Sequence, residues 1–527
     1  MSDIVASKLE LERDWEPTVR RFVLSSNCLY DGDSRLDATA YAEEATRILA
    51  ELAASSLPKE TIGALCDTIW HPVQTQARSN FKRIYTDPAH GVPFVSSRSM
   101  FGFPLKPERF LSKLMRKLPD LMVPKGWLLL SRSGTVGNPL FVGTTLAACA
   151  ITDHAIRIEP KTLETGCYLY AFLASRYGQT LIEKGVYGST VDELEPKHIA
   201  GIPVPLLPES KRSRISELII TAYDLRDQAN RLFERAETDL HVLLGVVPFS
   251  DDDVEYLGKQ NDPRAFVVDS SDLGVRLDAS HHVPMVRSLI HKLEQGRFAL
   301  ARLGDIIRDE NISMPPRSAR IYVDKEHGVP LLQGSQMPLM RPYGLKYISR
   351  TKTPELDRWI IRTGCVLITR SGTIGRVGFC SEGWDGWAAS EHMLRVIPPS
   401  GTIEPGFLIS FLSTPFGQHQ MNAKIYGGVV DELTAEDMSN VLVPNVPFDE
   451  QQSIGNLVRQ AYAFRDEANE LEDQAIGELE DGIGGKDERE DAKDSETARK
   501  RLIEIKDARQ RLVQGDELRE RLARIDT

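Results

Sequence analysis

Two short stretches of this chain concentrate cationic and aromatic side chains, and contact with a polyanion is the chemistry they suit. Between Val95 and Pro119 lie Arg98, Lys106, Arg109, Lys113, Arg116 and Lys117 against one acid, Glu108, interleaved with Phe101, Phe103 and Phe110. Between Leu332 and Thr353 lie Arg341, Lys346, Arg350 and Lys352 with no acid, beside Tyr343 and Tyr347. Lysine and arginine neutralise phosphates, and the interleaved side chains suit base edges or grooves, so both stretches are candidate DNA contacts. A solvated cationic face is the bland alternative for either stretch alone, and recurrence at equivalent places favours DNA.

A second candidate is a pair of turns, Arg132-Ser133-Gly134-Thr135-Val136-Gly137 and Arg370-Ser371-Gly372-Thr373-Ile374-Gly375. Each follows an apolar run, and its glycines and hydroxyls could bring backbone N–H groups to a phosphate. A tight structural turn needing glycine at positive φ explains the same pattern equally well. The lysine of a phosphate-binding loop is missing, so nucleotide binding is not indicated. No G-x-S-x-G, H-E-x-x-H or dinucleotide fingerprint occurs. Asn138-Pro-Leu-Phe141 superficially resembles the Asn-Pro-Pro-Phe of amino-methyltransferases, yet its counterpart is Arg376-Val-Gly-Phe379 and no glycine-rich cofactor loop accompanies it. Asp192-Glu193 and Asp431-Glu432 read as helix N-terminal caps. His281-His282 has no counterpart in the first half. No metal site is expected. The six cysteines never form C-x-x-C and read mostly as buried small hydrophobes in a reducing cytoplasm.

What must position these residues is a frame written twice. Tyr187-Gly-Ser-Thr-Val-Asp-Glu-Leu194 returns 239 residues later as Tyr426-Gly-Gly-Val-Val-Asp-Glu-Leu433. Ser131-Arg-Ser-Gly-Thr-Val-Gly137 returns as Thr369-Arg-Ser-Gly-Thr-Ile-Gly375, Arg35-Leu-Asp-Ala38 as Arg276-Leu-Asp-Ala279, and His90-Gly-Val-Pro93 as His327-Gly-Val-Pro330. So long a period excludes a solenoid and implies duplication of a whole domain. In each copy a helical stretch leads to Gly/Pro-punctuated short strands. Trp127-Leu-Leu-Leu130 and Cys365-Val-Leu-Ile368 are the clearest. Each copy ends in an extended segment, Ile202-Pro-Val-Pro205 or Val441-Leu-Val-Pro444, stopped by proline.

A long helix follows each copy, from about Glu209 to Leu244 and from about Asp449 to Leu479. Leu218, Leu225 and Leu232 are seven apart and map onto Leu457, Phe464 and Leu471, while Ala222, Ala229 and Ala236 map onto Ala461, Ala468 and Ala475. That spacing predicts a coiled-coil seam with close approach at alanine. Each helix folding back on its own head is the alternative. Gly482-Ile-Gly-Gly485 should end the second helix. Beyond it, Leu502, Ile505, Leu512, Leu518 and Leu522 punctuate a charged tail, an amphipathic helix or a conditionally ordered segment. The fold class is therefore α/β: two tandem α/β domains in pseudo-two-fold arrangement, separated by two long antiparallel coiled-coil helices.

Net charge is −12, which seems to oppose a nucleic-acid partner. From Asp449 to Thr527, however, 22 acidic and 14 basic residues leave −8, so the first 448 residues carry only −4. No run approaches the roughly 18 apolar residues of a membrane span, and Met1-Ser-Asp-Ile-Val does not read as a secretory signal.

The repeated Ser-Arg-Ser-Gly-Thr-Val/Ile-Gly strand-turn, the Ile-Pro-Val-Pro ending and the long helix together resemble the specificity subunit of type I restriction-modification systems, or a close relative in another methylation-based defence system. Phe448-Asp-Glu-Gln-Gln-Ser-Ile454 is similar to that family's Pro-x-x-Glu-Gln-x-x-Ile helix start, whereas Pro208-Glu-Ser-Lys211 departs from it. The resemblance implies a target-recognition domain at 1–207 including an N-terminal extension, a spacer helix at 208–246, a second recognition domain at 247–447, a second spacer at 448–481 and a charged tail at 482–527. It implies a non-enzymatic chain that reads a bipartite DNA site and docks two methyltransferase subunits, with a restriction/translocase subunit able to join. It implies no cofactor in this chain, S-adenosylmethionine in the methyltransferase partner, and no membrane. The competing readings are a stand-alone adenine methyltransferase or nuclease, and a protein-binding scaffold whose acidic tail mimics DNA.

Overall fold

A computed structural model describes residues 43–72, 83–107, 109–132, 136–186, 193–250, 253, 266–268, 270, 273, 277–425 and 432–485. Arg35–Ala38, Cys28 and the tail beyond 485 lie outside them. Mixed helix and sheet recur in the two halves with one strand order.

In the first head a four-stranded antiparallel sheet runs in the order Cys66–Trp70, Ala155–Pro160, Leu128–Ser131, Pro139–Phe141. The second head repeats it as Ile312–Ser313, Met393–Val396, Val366–Thr369, Val377–Phe379. The central strands expected from the apolar runs are buried at every position. A second sheet orders Tyr85–Thr86, Arg109–Ser112, Gly91–Val95 and Ala150–Ile151, the last pair parallel, and Tyr322–Val323, Lys346–Ser349, Gly328–Leu332 and Ala388–Ala389 repeat it. The repeated His-Gly-Val-Pro has a steric reason. A Cβ on Gly91 would sit 2.5 Å from Phe110 Cβ, and one on Gly328 would sit 2.5 Å from Tyr347 Cβ.

Each head closes on itself through its proline-rich ending. Lys59–Thr61 pairs with Pro203–Pro205, and Leu300–Arg302 with Leu442–Pro444. Prolines fit there because a two-stranded ribbon leaves one edge of each strand free of the ladder. A buried helical hairpin backs each sheet, Leu163–Ala174 with Arg176–Gly185 and Pro405–Ser413 with Pro415–Lys424.

The long helices span Glu209–Leu244 and Phe448–Gly484, each about 54 Å at 1.5 Å per residue. They lie antiparallel, with Arg214 beside Glu478, Arg226 beside Glu472 and Phe233 on Tyr462. The two options read from sequence are combined. Residues such as Ile215, Leu218 and Leu225 enter the first head's core together with Leu471, Ala475 and Leu479 of the other helix. Ala236 and Leu240 enter the second head's core together with Ile454 and Val458. Every helix therefore serves both heads. The six expected alanines have no exposed surface, whereas Leu232, Leu457 and Phe464 are only partly buried. Close approach at alanine leaves the larger side chains at its margin. The second helix runs through Gly482 and Gly484 and ends, as expected, within the glycine motif, capped by Gly485 with φ 69°. Gly482 is accommodated because a Cβ there would meet Leu207 at 2.8 Å, and Ile483 is buried in the first core.

Cys66, Cys149, Cys167, Cys365 and Cys380 are buried free thiols. Burial pushes the pKa of Cys149 up to about 11 and those of Cys66, Cys167 and Cys365 up to about 12. Since the thiolate is the reactive form, these five are expected to resist a disulfide reagent at neutral pH until the protein is unfolded. A native-state thiol titration that labels any of them would contradict this.

Candidate nucleic-acid interface

The repeated turn is clamped from both sides. The Gly137 N–H donates to Ser131 O and the Gly375 N–H to Thr369 O, both at 2.9 Å. Gly137, Gly372 and Gly375 have φ of 90°, 78° and 81°, the left-handed region that favours glycine. Behind the turn, Gln179 Nε2 donates to Gly137 O and Gln418 Nε2 to Gly375 O. In front, the Leu194 N–H donates to Arg132 O and the Leu433 N–H to Arg370 O.

Arg132 and Arg370, expected at a DNA face, point into this clamp. Arg132 is buried against Glu193 at 2.8 Å and Glu195 at 3.3 Å, and Arg370 against Glu432 at 2.6 Å. For the glutamates of the Asp-Glu pairs the expected capping role is corrected too: Glu193 and Glu432 hold the turn's arginine. The Thr434 hydroxyl and Asp437 cap the helix Ala435–Ser439 instead. The two motifs that recur together in the sequence are thus the two halves of one contact. Asp192 and Asp431 lie outside the described residues, as do Ser133 and Thr135. Ser371 and Thr373 reach the surface, where Ser371 Oγ lies 2.6 Å from His392 Nδ1.

A polar recess opens at that turn in the second head. Ser371, Thr373 and His392 line it with Gln333, Arg320, and Arg98 from the first head. Arg320 pairs with Glu391, and its mate Arg83 with Asp153. Burial alone would raise the carboxyl pKa values of Asp153 and Glu391, but the facing arginines hold both below the usual carboxylate range. Sequence reasoning missed this pair. Its signal was available, since Arg83-Ile-Tyr85 recurs as Arg320-Ile-Tyr322, and Asp153-His154 as Glu391-His392.

The other expected cations divide into three groups. Arg109 stacks over exposed Tyr85, its guanidinium carbon 4.8 Å from the ring centre, and Lys346 Nζ lies 5.1 Å from that of Tyr322, so both heads carry one cation–aromatic pair at the same sheet edge. Arg98, Lys113, Arg116, Arg350 and Lys352 are exposed and Lys117 is half-buried. Because Gly91 pairs with Ser112 and Phe94 with Arg109, Lys113 and Arg109 stand at opposite ends of one strand pair. Those two cations are spread along the strand pair, not clustered. Lys106 and Arg341 do something else. Lys106 Nζ donates to Ser413 O in the other head at 3.2 Å, and Arg341 bonds Glu472 at 2.8 Å and Asp473. Among the described residues no group of acids, histidines and cysteines could hold a metal, and no helix is long and apolar enough to cross a membrane.

A duplicated frame with basic, unlike faces agrees with what comparison finds. Residues 310–480 match the family model described as "Type I restriction modification DNA specificity domain". That match covers most of the second half of the chain, including most of its long helix. Among curated relatives, the type I restriction enzyme EcoBI specificity subunit of Escherichia coli is 27% identical over 135 residues, 26% of this chain and 28% of that protein. The match thus spans little more than a quarter of that relative. Among solved structures, the type I restriction-modification S subunit from M. genitalium is 12% identical, covering 81% of this chain and 96% of that one with a TM-score of 0.34. The HsdS subunit from Thermoanaerobacter tengcongensis is 14% identical with the same coverages and a TM-score of 0.25.

Proposed function

We propose that this chain is the DNA-reading subunit of a methyltransferase or restriction complex, with each head reading one half of a bipartite site. The observation that carries this reading is that the strand order of the matched segment occurs twice, on helices shared by both heads. The frame is common to both copies while the basic segments differ, as an asymmetric two-part target requires. The chain itself catalyses nothing. Two methyltransferase subunits dock on it, bring S-adenosylmethionine, and modify the site that it selects; a restriction/translocase subunit can join. The target-recognition domains are residues 1–207 and 247–447, and the helices between and after them space the half-sites.

Methylome sequencing of host cells with and without this chain tests the reading. A bipartite methylated motif that disappears with the chain is the expected result. An unchanged methylome would overturn it, as would methyl transfer by the purified chain alone.

The two kinds of arginine should separate in binding assays. Arg98→Ala is expected to reduce the slope of log affinity against log salt by about one. Arg370→Ala should leave that slope unchanged and lower stability by about 2 kcal/mol, because it removes charged hydrogen bonds from a buried clamp. DNA titrations at several salt concentrations, with denaturant melts alongside, decide between them.

A further inference from the structure

We propose that the divergent segments of the two heads lock the heads to each other, and that this lock, with the helix pair, fixes the distance between the half-sites. The proposal rests on the two-half-site reading above. Gly102 and Leu339 form an antiparallel bridge. On either side the Phe103 N–H donates to Pro338 O at 2.9 Å and the Met340 N–H donates to Phe101 O at 2.8 Å. Phe101, Gly102 and Phe103 precede Pro338, Leu339 and Met340 by 237 residues, the offset of the neighbouring strands. Each hydrogen bond is therefore the other's image, and the pseudo-two-fold axis passes between Gly102 and Leu339.

From this crossing each segment plugs into the opposite side. Phe103 of the first head is buried in the second head's core, and Leu339 of the second head in the first head's core. Phe103 packs edge-on against Phe233 and Tyr462, with centroids 5.4 and 5.3 Å away. Asn230 and Asn469, mates on the two helices, secure the flanks: Leu105 N–H donates to Asn230 Oδ1 at 2.8 Å, and Asn469 Nδ2 donates to Met340 O at 3.2 Å. Arg341 completes the second plug on Glu472. Buried Phe103 and Leu339 are turned away from any DNA.

Antiparallel helices set the length between the two heads, and the exchanged plugs add a direct connection between the heads across the pseudo-two-fold axis. Since DNA advances about 3.4 Å per base step on one strand, tolerance to spacer length should depend on these contacts.

The test replaces the chain in its host with Phe103→Ala/Arg341→Ala and reads the methylome. The expected result is unchanged half-site bases with roughly ten-fold more methylation at spacers one base pair shorter or longer, a loss of discrimination of one decade. Methylation confined to the native spacer overturns the lock, and so does a change in half-site bases. Phe103→Leu is run in parallel, with its melting temperature, in case the double variant fails to fold. A normally melting Phe103→Leu that loses methylation at every spacer also counts against the lock. A host with no bipartite motif in the wild type fails the parent reading. A motif whose spacing the variants leave alone fails only the lock.

Discussion

Glu472→Ala should cost about 3–5 kcal/mol of folding stability, the penalty for leaving a buried charge without its partner. Glu472 is 1% exposed and accepts from Arg226 at 2.6 Å, Arg341 at 2.8 Å and the Tyr170 hydroxyl. Burial, and after it the neighbouring Asp473, push its carboxyl pKa well up, and the two guanidinium groups in contact oppose that. Truncation strands Arg226, itself 3% exposed. Arg226→Met/Glu472→Leu, which removes both charges, should cost far less than either single change, because well-packed apolar replacements of buried pairs are often nearly neutral. Denaturant melts of the four proteins form the cycle. An alanine variant within about 0.5 kcal/mol of wild type would mean that the network carries no stability.

The mates of this network explain what could and could not be read from sequence. Arg226 maps onto Arg465, but Glu472 maps onto Phe233. Among the described residues Arg465 accordingly pairs with no acid across the helix pair. It lies 4.1 Å from the Trp384 ring centre and 4.7 Å from that of Tyr462, and bonds Ser381 and Asp466. One crossing is ionic and the other aromatic, so neither helix can take its twin's place without stranding an arginine. Matching identical residues between copies revealed the duplication, the strands before the turns and the first long helix to its ends. It could not reveal an element whose meaning lies in the mismatch. The plug at Gly102 and Leu339 left no pattern at all, because its hydrogen bonds are backbone and its partners lie 237 residues apart. Arg132 and Arg370 were misplaced for another reason. Charge says that a side chain needs an anion, and here the anion was the glutamate of the other repeated motif.

Four residues inserted into both helices at mated points, between Gln228 and Ala229 and between Glu467 and Ala468, should lengthen the half-site spacer by one or two base pairs. The rise is about 6 Å at 1.5 Å per residue, against about 3.4 Å per base step. These points lie between the two crossings, so Arg226 stays with Glu472 and Phe233 with Tyr462. Four residues also make about 400°, close to a whole turn, so each buried face nearly keeps its direction. The same insertion in one helix alone must fail. Each helix enters both cores, and a one-sided shift drags buried side chains of one head about 6 Å out of register. The paired insertion has a second consequence, because the plugs do not lengthen with the helices. Phe103 and Arg341 would fall short of their seats by about the same 6 Å. The longer spacer should therefore be less sharply defined than the native one, with neighbouring spacings methylated as well. Methylome sequencing of the paired and single insertions reads both effects. A native spacer in the paired variant would sink the ruler, and a longer spacer as sharply defined as the native one would leave the ruler and remove the lock.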